Sequence, residues 1–343
     1  MIRQASLTMA LGAALAGSAQ AQIIAPNVPD FFKKSGISMY VGSGAGGGFD
    51  AYARVFVANF ARHVPGNPLI VVKNMPGATG LVAMNYLANS APTDGSALLA
   101  SFNTIVMAHL YGDANAKFDP RKLGWIGSLG RATGTCLSWY TSPVKTLLDA
   151  QTRESLMGAT GDGSTPVMYP KLLNAILGTK FKVISGYTTP GLRLAVENGE
   201  VEGVCGVTWE THMASVPYWI LDRKVNFILQ LGLRENSNLK GVPLALASIS
   251  DPQDRKVFEL LNMPLEFARP ILAPPGVPDD RLEALRGAFA ATMDDSAYLA
   301  DANRAKQFPD PMSAKQALDL LNRAYESPKE VIARATVYAA SGD

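Results

Sequence analysis

Four times along this chain a short β-rich run ends in a loop crowded with glycine, serine and threonine, and a helical stretch opens directly after it. The first run, residues 37–41, leads through Gly42-Ser43-Gly44-Ala45-Gly46-Gly47-Gly48 into a helical segment that reaches about His63. The second, 69–72, leads through Asn74-Met75-Pro76-Gly77-Ala78-Thr79-Gly80 into a helix ending near Asn89. A third begins at Ser155 and passes through Gly158-Ala159-Thr160-Gly161-Asp162-Gly163-Ser164-Thr165 to a helix carrying Val167, Leu172, Leu173, Ile176 and Leu177. The fourth, 181–184, passes through Ser185-Gly186-Tyr187-Thr188-Thr189-Pro190-Gly191 to a helix over 192–198. Residues 97–100 and 201–207 supply further strands. Short strands separated by helices of about ten residues require crossover connections and hence parallel pairing. The two series predict an α/β chain of two lobes, each a mostly parallel sheet flanked by helices.

Such loops lie at the carboxyl ends of parallel strands, where α/β sheets bind their ligands. Glycine leaves backbone N–H groups uncovered, and the start of a helix adds a partial positive charge, so the first loop is suited to an anion. Gly42-x-Gly44-x-x-Gly47 also has the spacing of a dinucleotide fingerprint, but Lys73-Asn74 stands where the acid that binds ribose belongs. No lysine follows the glycines, so there is no Walker motif either. Asp50 falls at the start of the first helix, where a carboxylate caps N–H groups more readily than it performs acid–base chemistry. Two glycine–hydroxyl loops from each lobe predict a shared cleft that holds a carboxylate with amides and hydroxyls, without any buried arginine.

The rest of the chain offers little for catalysis. His63, His109 and His212 are its three histidines and none forms a metal-ligand pair; there is no GxSxG elbow. Neither metal nor cofactor is expected. A formal charge of +2 gives no field that would draw nucleic acid or an anionic membrane. Its 343 residues, 48% of them hydrophobic, suffice for two ordinary domains. Arg3, the apolar stretch 7–16 and Ser18-Ala19-Gln20-Ala21 read as a signal peptide over residues 1–21, too short in its apolar part to span a bilayer. The mature chain then starts at Gln22 outside the cytoplasm. Cys136 and Cys205 are compatible there with a disulfide, with two buried thiols or with a reactive thiol. After Pro270 the chain reads as a strand over 271–273 and three amphipathic helices to Tyr338, the first introduced by Asp279-Asp280 as N-cap and acidic first turn. Helices so placed pack back on the first lobe. This divides the chain into 22–128 plus 246–343 as lobe 1 and 129–245 as lobe 2.

These loops resemble a family, the extracytoplasmic solute receptors of tripartite tricarboxylate transporters, or Bug proteins. Val41, Gly46, Gly47, Asp50, Ala53 and Arg54 fall in register with the family's first loop, V-P-F-x-P-G-G-x-x-D-x-x-A-R. Asn74, Pro76, Gly77, Ala78 and Gly80 match its N-R-P-G-A-G-G, and residues 91–99 its A-x-D-G-x-x-L-L with one residue extra. Phe118-Asp119-Pro120, Trp125-Ile126-Gly127, the stretch 199–203 and Leu272-Ala273-Pro274-Pro275-Gly276-Val277-Pro278 follow in order. The resemblance implies a periplasmic, non-enzymatic and monomeric binding protein. Its two lobes would close on a small organic carboxylate, hinged near 127–130 and 241–246, and deliver it to membrane transport subunits without being embedded in the membrane. It implies ligand contacts at Ser43, Gly44, Gly47, Phe49, Asp50, Ala78 and Thr79 in lobe 1, to which Phe102 is added as a candidate from its aromatic type. In lobe 2 it implies Gly161, Asp162, Ser164, Thr165, Tyr187, Thr188 and Thr189. Gly42-Ser43 replace the family's proline and aromatic, and Phe49 its small polar residue, so specificity is expected to differ here. Phe49, Phe102, Tyr187 and Trp209 fit either an aromatic pocket or ordinary core packing. A secreted α/β enzyme acting on an organic acid, or a sensor presenting its closed form to a signalling partner, are the alternatives.

Overall fold

The structure, a computed structural model, describes residues 27–161 and 164–339; the signal-peptide stretch and Asp162 lie outside them. The chain opens with α1 (Val28–Ser35), β1 (Ile37–Val41), α2 (Gly48–Phe60), β2 (Ile70–Asn74), α3 (Leu81–Asn89), β3 (Ala97–Ala100) and β4 (Gly124–Ser128). It then crosses to β5 (Gly134–Trp139), α4 (Leu147–Thr152), β6 (Ser155–Gly158), α5 (Thr165–Leu177), β7 (Phe181–Ile184) and α6 (Thr189–Asn198). β8 (Gly203–Thr208), α7 (Trp209–Ser215), α8 (Pro217–Leu221) and β9 (Val225–Leu231) complete that part. The return runs through α9 (Pro252–Asn262) to β10 (Pro270–Ala273), α10 (Asp279–Met293), α11 (Ser296–Arg304), β11 (Met312–Ser313), α12 (Ala314–Tyr325) and α13 (Lys329–Ala339).

Two sheets result, ordered β11-β4-β10-β3-β1-β2 and β7-β6-β8-β5-β9. β1 pairs in parallel with β2 and β3, and β6 with β7 and β8. β10 runs antiparallel between β3 and β4, β11 antiparallel to β4, and β5 antiparallel between β8 and β9. Most strands of each sheet therefore share one direction, and the expected mostly parallel sheets are present. The reversed β5 and β10 are the strands on which the chain arrives from the other sheet. Their neighbours β4 and β9, and the two-residue β11, carry no flanking βα pattern, which is why the alternation did not expose them.

Burial explains the strand chemistry. The Ala-Leu-Leu-Ala run of β3 is buried throughout, as a central strand covered on both faces must be. After β10 four helices follow where three were expected, because the single periodic stretch breaks at Asp294–Asp295 and Asp295 caps α11 by accepting from the Ala297 N–H. Pro278, not an aspartate, occupies the N-cap of α10; Asp279 and Asp280 sit in its first turn. α10 and α12 pack on β4 and α11 on α2, whereas α13 packs on α9 and on α5 beneath the second sheet. One buried apolar cluster accordingly runs from Leu99, Trp125 and Leu272 through to Met157, Leu172 and Leu229.

Cys136 and Cys205 face each other on β5 and β8, their Cα atoms 3.9 Å apart, and are joined as a disulfide. The loop after β9 folds back on that strand. Gln230 bridges Leu244, its amide donates to the Leu239 and Val242 carbonyls, and its carbonyl accepts from the Asn236 N–H. Residues around 241–246 thus stay with the second sheet, and the passage to the first is made further on, between α9 and β10.

Candidate functional site between the two sheets

The first loop is built around Asp50. Its carboxylate, 2% exposed, accepts from the Gly46 N–H at 2.8 Å, from Arg54 Nε at 2.9 Å and from Asn74 Nδ2 at 2.8 Å. Asn74 Nδ2 also donates to the Ser43 carbonyl at 2.9 Å, so one carboxylate and one amide lace the first loop to the second. Burial alone would raise the Asp50 pKa, but the hydrogen bonds from Arg54, Gly46 and Asn74 outweigh it and hold the carboxyl at about 2. Its acceptor capacity is spent within the protein, on the loop before α2, on Arg54 one turn on and on Asn74 of β2. It ties the loop down without capping the N–H groups of α2, the role that its place suggests.

With the loop so held, Gly44, Gly46 and Gly47 are exposed, and no side chain caps the N-terminus of α2. The Ser43 hydroxyl is buried without a partner. Phe49 packs at a tilt against Phe102 with ring centroids 4.1 Å apart, and Phe102 lies against the second loop, where a Cβ on Gly80 would come within 2.7 Å of its ring. Gly77, Ala78, Thr79 and Gly80 all have positive φ, and Ala78 (42°) and Thr79 (51°) are exposed in the left-handed region that β-branched residues in particular avoid. Ser43, Gly44, Gly47, Phe49, Asp50, Ala78, Thr79 and Phe102 are thus gathered on one edge of the first sheet.

The second sheet presents a comparable edge. Gly186 N–H donates to the Thr160 carbonyl at 2.7 Å and Tyr187 N–H to Ala159 at 3.3 Å, which brings the fourth loop against the third. Gly161, Ser164, Thr165, Tyr187, Thr188 and Thr189 collect there. Thr188 caps α6 and Thr208 caps α7. α5 has no side-chain cap, and the Ser164 hydroxyl beside it is buried and unpartnered, as Ser43 is beside α2. Tyr187 packs instead into the small apolar cluster of Leu137, Val196 and Trp219.

Several residues between the two edges were not singled out from the sequence. Arg269, just before β10, places its guanidinium carbon 4.5 Å from the centroid of the Phe49 ring and 4.8 Å from that of Tyr52. The Tyr52 hydroxyl accepts from the Phe308 N–H, and Phe308 packs on Trp209 of α7 with centroids 4.8 Å apart. Glu210, also in α7 and buried, accepts from the Thr133 N–H at 3.1 Å. Burial raises its pKa against the pull of Arg269 and of the neighbouring amides. A polar cavity of about 320 Å³ lies beside this cluster, walled by Thr133, Trp209, Glu210, Asn236, Glu266 and Asp310 among others. At its rim Arg131, from the crossover between β4 and β5, and Arg234, from the loop just after β9, each pair with both Glu266 and Asp310. Arginine type alone does not reveal such placement; neighbouring Ala268-Arg269-Pro270 carries no motif.

Among the described residues no cluster of His, Cys, Asp and Glu could hold a metal ion, and no helix is long and apolar enough to cross a membrane. His212 is buried, its Nε2 unpartnered, and burial together with nearby Arg193 lowers its pKa to about 4. It is a core residue stacked near Trp219.

No family model matches the chain, and no curated protein matches it in sequence. Solved structures do match in fold. A TctC solute-binding protein from Polaromonas, solved without ligand, is 19% identical with a TM-score of 0.68, over 87% of this chain and 98% of that one. The periplasmic binding protein BugD is 17% identical with a TM-score of 0.60, over 88% and 95%. MatC from Rhodopseudomonas palustris, solved with bound malate, is 18% identical with a TM-score of 0.58, over 88% and 98%. The chain has the two-lobed fold of the TctC- and Bug-type periplasmic solute-binding proteins.

Proposed function

We propose that this chain is a periplasmic solute receptor of the tripartite tricarboxylate type, which takes a small organic carboxylate between its two sheets and hands it, unaltered and as a monomer, to membrane transport subunits. The observation that carries this reading is a matched pair of vacant donors. α2 and α5, one from each sheet, begin without a side-chain cap beside a serine hydroxyl that is buried and unpartnered, Ser43 or Ser164. Helix N-termini favour negative charge, and unpaired buried hydroxyls are costly until something pairs them. A carboxylate bridging the two loops satisfies both and draws the lobes together, which is a hinge-type closure. The strained Ala78–Thr79 turn adds a third wall of the kind found at ligand clamps. The bound malate of MatC belongs to the same chemical class.

Thermal unfolding of the purified protein with malate, citrate, aspartate and benzoate tests the reading. At least one acid is expected to raise the melting temperature in proportion to RT ln(1 + [L]/Kd) and to be recovered chemically unchanged. A flat response to all of them, or turnover of a bound acid, overturns it.

A further inference from the structure

Resting on that receptor reading, we propose that Arg269 is the cationic seat of the cleft: it pairs directly with the ligand's carboxylate and sets the preference for an anion over its neutral analogue. The sequence pointed to a carboxylate held by amides and hydroxyls alone, so a half-buried guanidinium at this place is a departure that the fold introduces.

The position follows from pairing. Leu129 N–H donates to the Arg269 carbonyl and Arg269 N–H donates to Ser128 Oγ, which ties the residue to the end of β4. Ser101 N–H donates to the carbonyl of adjacent Pro270, which ties it to the end of β3. Arg269 therefore stands on the same edge as the glycine loops, between the strands that carry Phe102 and the first crossover. Its planar group is clamped by Phe49 and Tyr52, both from the start of α2. Phe49 belongs to the first loop, so the guanidinium and the uncapped helix share one wall.

What marks Arg269 out is how few partners it has. Nε is buried and bonded to nothing, and the hydrogen bond of Nη1 goes to the adjacent Ala268 carbonyl at 2.8 Å. No described carboxylate comes within ion-pair distance of it. Glu210 is near enough for each charge to favour the other, but its hydrogen bond is with the Thr133 N–H, and burial shifts both groups toward their neutral forms. Arg54 has Asp50 and Arg131 has Asp310. Arg281, over Phe31, likewise bonds a backbone carbonyl, that of Asp94, but it sits at the turn before β3, at the opposite end of the strand from Phe102. A charge removed from water without a counter-ion is unfavourable, and a guanidinium fork accepts a carboxylate in two parallel hydrogen bonds. Aromatic faces on the guanidinium stabilise it without using its N–H groups. The site is thus a pre-oriented donor awaiting an acceptor.

The test compares wild type, Arg269→Gln and Arg269→Lys, with malate beside malamide and benzoate beside benzamide as probes, by calorimetric titration and thermal unfolding. The wild type is expected to bind the acid and reject the amide. Arg269→Gln is expected to lose about 30-fold or more in affinity for the acid, as truncation of a buried charge pair does, and to lose the discrimination against the amide. Arg269→Lys, which keeps the charge but not the fork, is expected to fall between. Without ligand, Arg269→Gln is expected to melt at or above the wild-type temperature, since a waiting charge is removed. Unchanged acid affinity in Arg269→Gln, with the amide still rejected, overturns the proposal and leaves the receptor reading standing. A lower melting temperature for ligand-free Arg269→Gln also overturns it, because it makes the arginine a structural element. If the wild type binds none of the acids, the receptor reading falls and the proposal falls with it.

Discussion

At the scale of single residues, Asp50 and Arg269 illustrate opposite uses of charge in one wall. Asp50 is fully paired, so its contribution is stability and loop order. Its pKa of about 2, against an ordinary value of 3.8, amounts to about 2 kcal/mol favouring the ionised folded form. A lowered carboxyl pKa stabilises above the unfolded value and stops doing so as the pH falls through the folded one. Asp50→Asn is therefore expected to cost about 2 kcal/mol in urea unfolding at pH 7, with the gap to wild type closing between about pH 4 and pH 2. A pH-independent difference would locate the loss in shape and not in charge. The carboxylate's place in the first turn of α2 was legible from the glycine loop that precedes it. Its second partner, Asn74, comes from the neighbouring strand β2, and Arg269 lies more than two hundred residues away in the chain; neither proximity leaves a local trace.

At the scale of elements, alternation and glycine placement carried the strand–loop–helix units. β1, β3 and β7 have the bounds that their sequence suggests, because apolar runs between turn residues determine both ends. β2 and β8 start later than their composition implies, since pairing with β1 and β5 decides where the ladder begins. A glycine whose reason is tertiary is Gly206, in β8. Its φ of 94° is one that a side chain resists, and an added Cβ would meet the Thr165 carbonyl oxygen at 2.5 Å. That contact lets β8 pass directly beneath the uncapped start of α5. Gly206→Ala is expected to destabilise by roughly 2–4 kcal/mol through combined strain and overpacking, read by chemical denaturation, and to weaken acid binding by displacing Ser164. A variant as stable as wild type would mean that the α5 start yields without cost.

At the scale of the whole molecule, the two sheets are joined by a charged knot. Glu266, on the return passage to β10, receives Arg131 from the first crossover and Arg234 from the loop after β9, and Asp310 receives the same pair. Burial raises the Glu266 pKa while the two arginines oppose the shift. Because the cluster is partly exposed, its net worth is modest, on the order of 1 kcal/mol, but its position governs how the lobes meet. Glu266→Gln leaves two guanidinium groups sharing one carboxylate. It is expected to enlarge the ligand-free radius of gyration in X-ray scattering, an effect that added salt reproduces in the wild type. Identical scattering curves would show that the apolar core spanning both sheets alone sets the lobe arrangement.

By itself the sequence determined that the chain is α/β, that its strands run mainly parallel, and that glycine–hydroxyl loops open helices at the carboxyl ends of the strands. Those features are set by periodicity, turn chemistry and helix-start preferences, all of which act over a few residues. Only the tertiary structure decided that β5 and β10 run in reverse, that α13 turns to the second sheet, that Cys136 meets Cys205, and that Arg269 stands unpaired between Phe49 and Tyr52 near Glu210. Those outcomes depend on which distant segments bury one another, and burial is what turns an ordinary surface arginine into a charge in need of a partner.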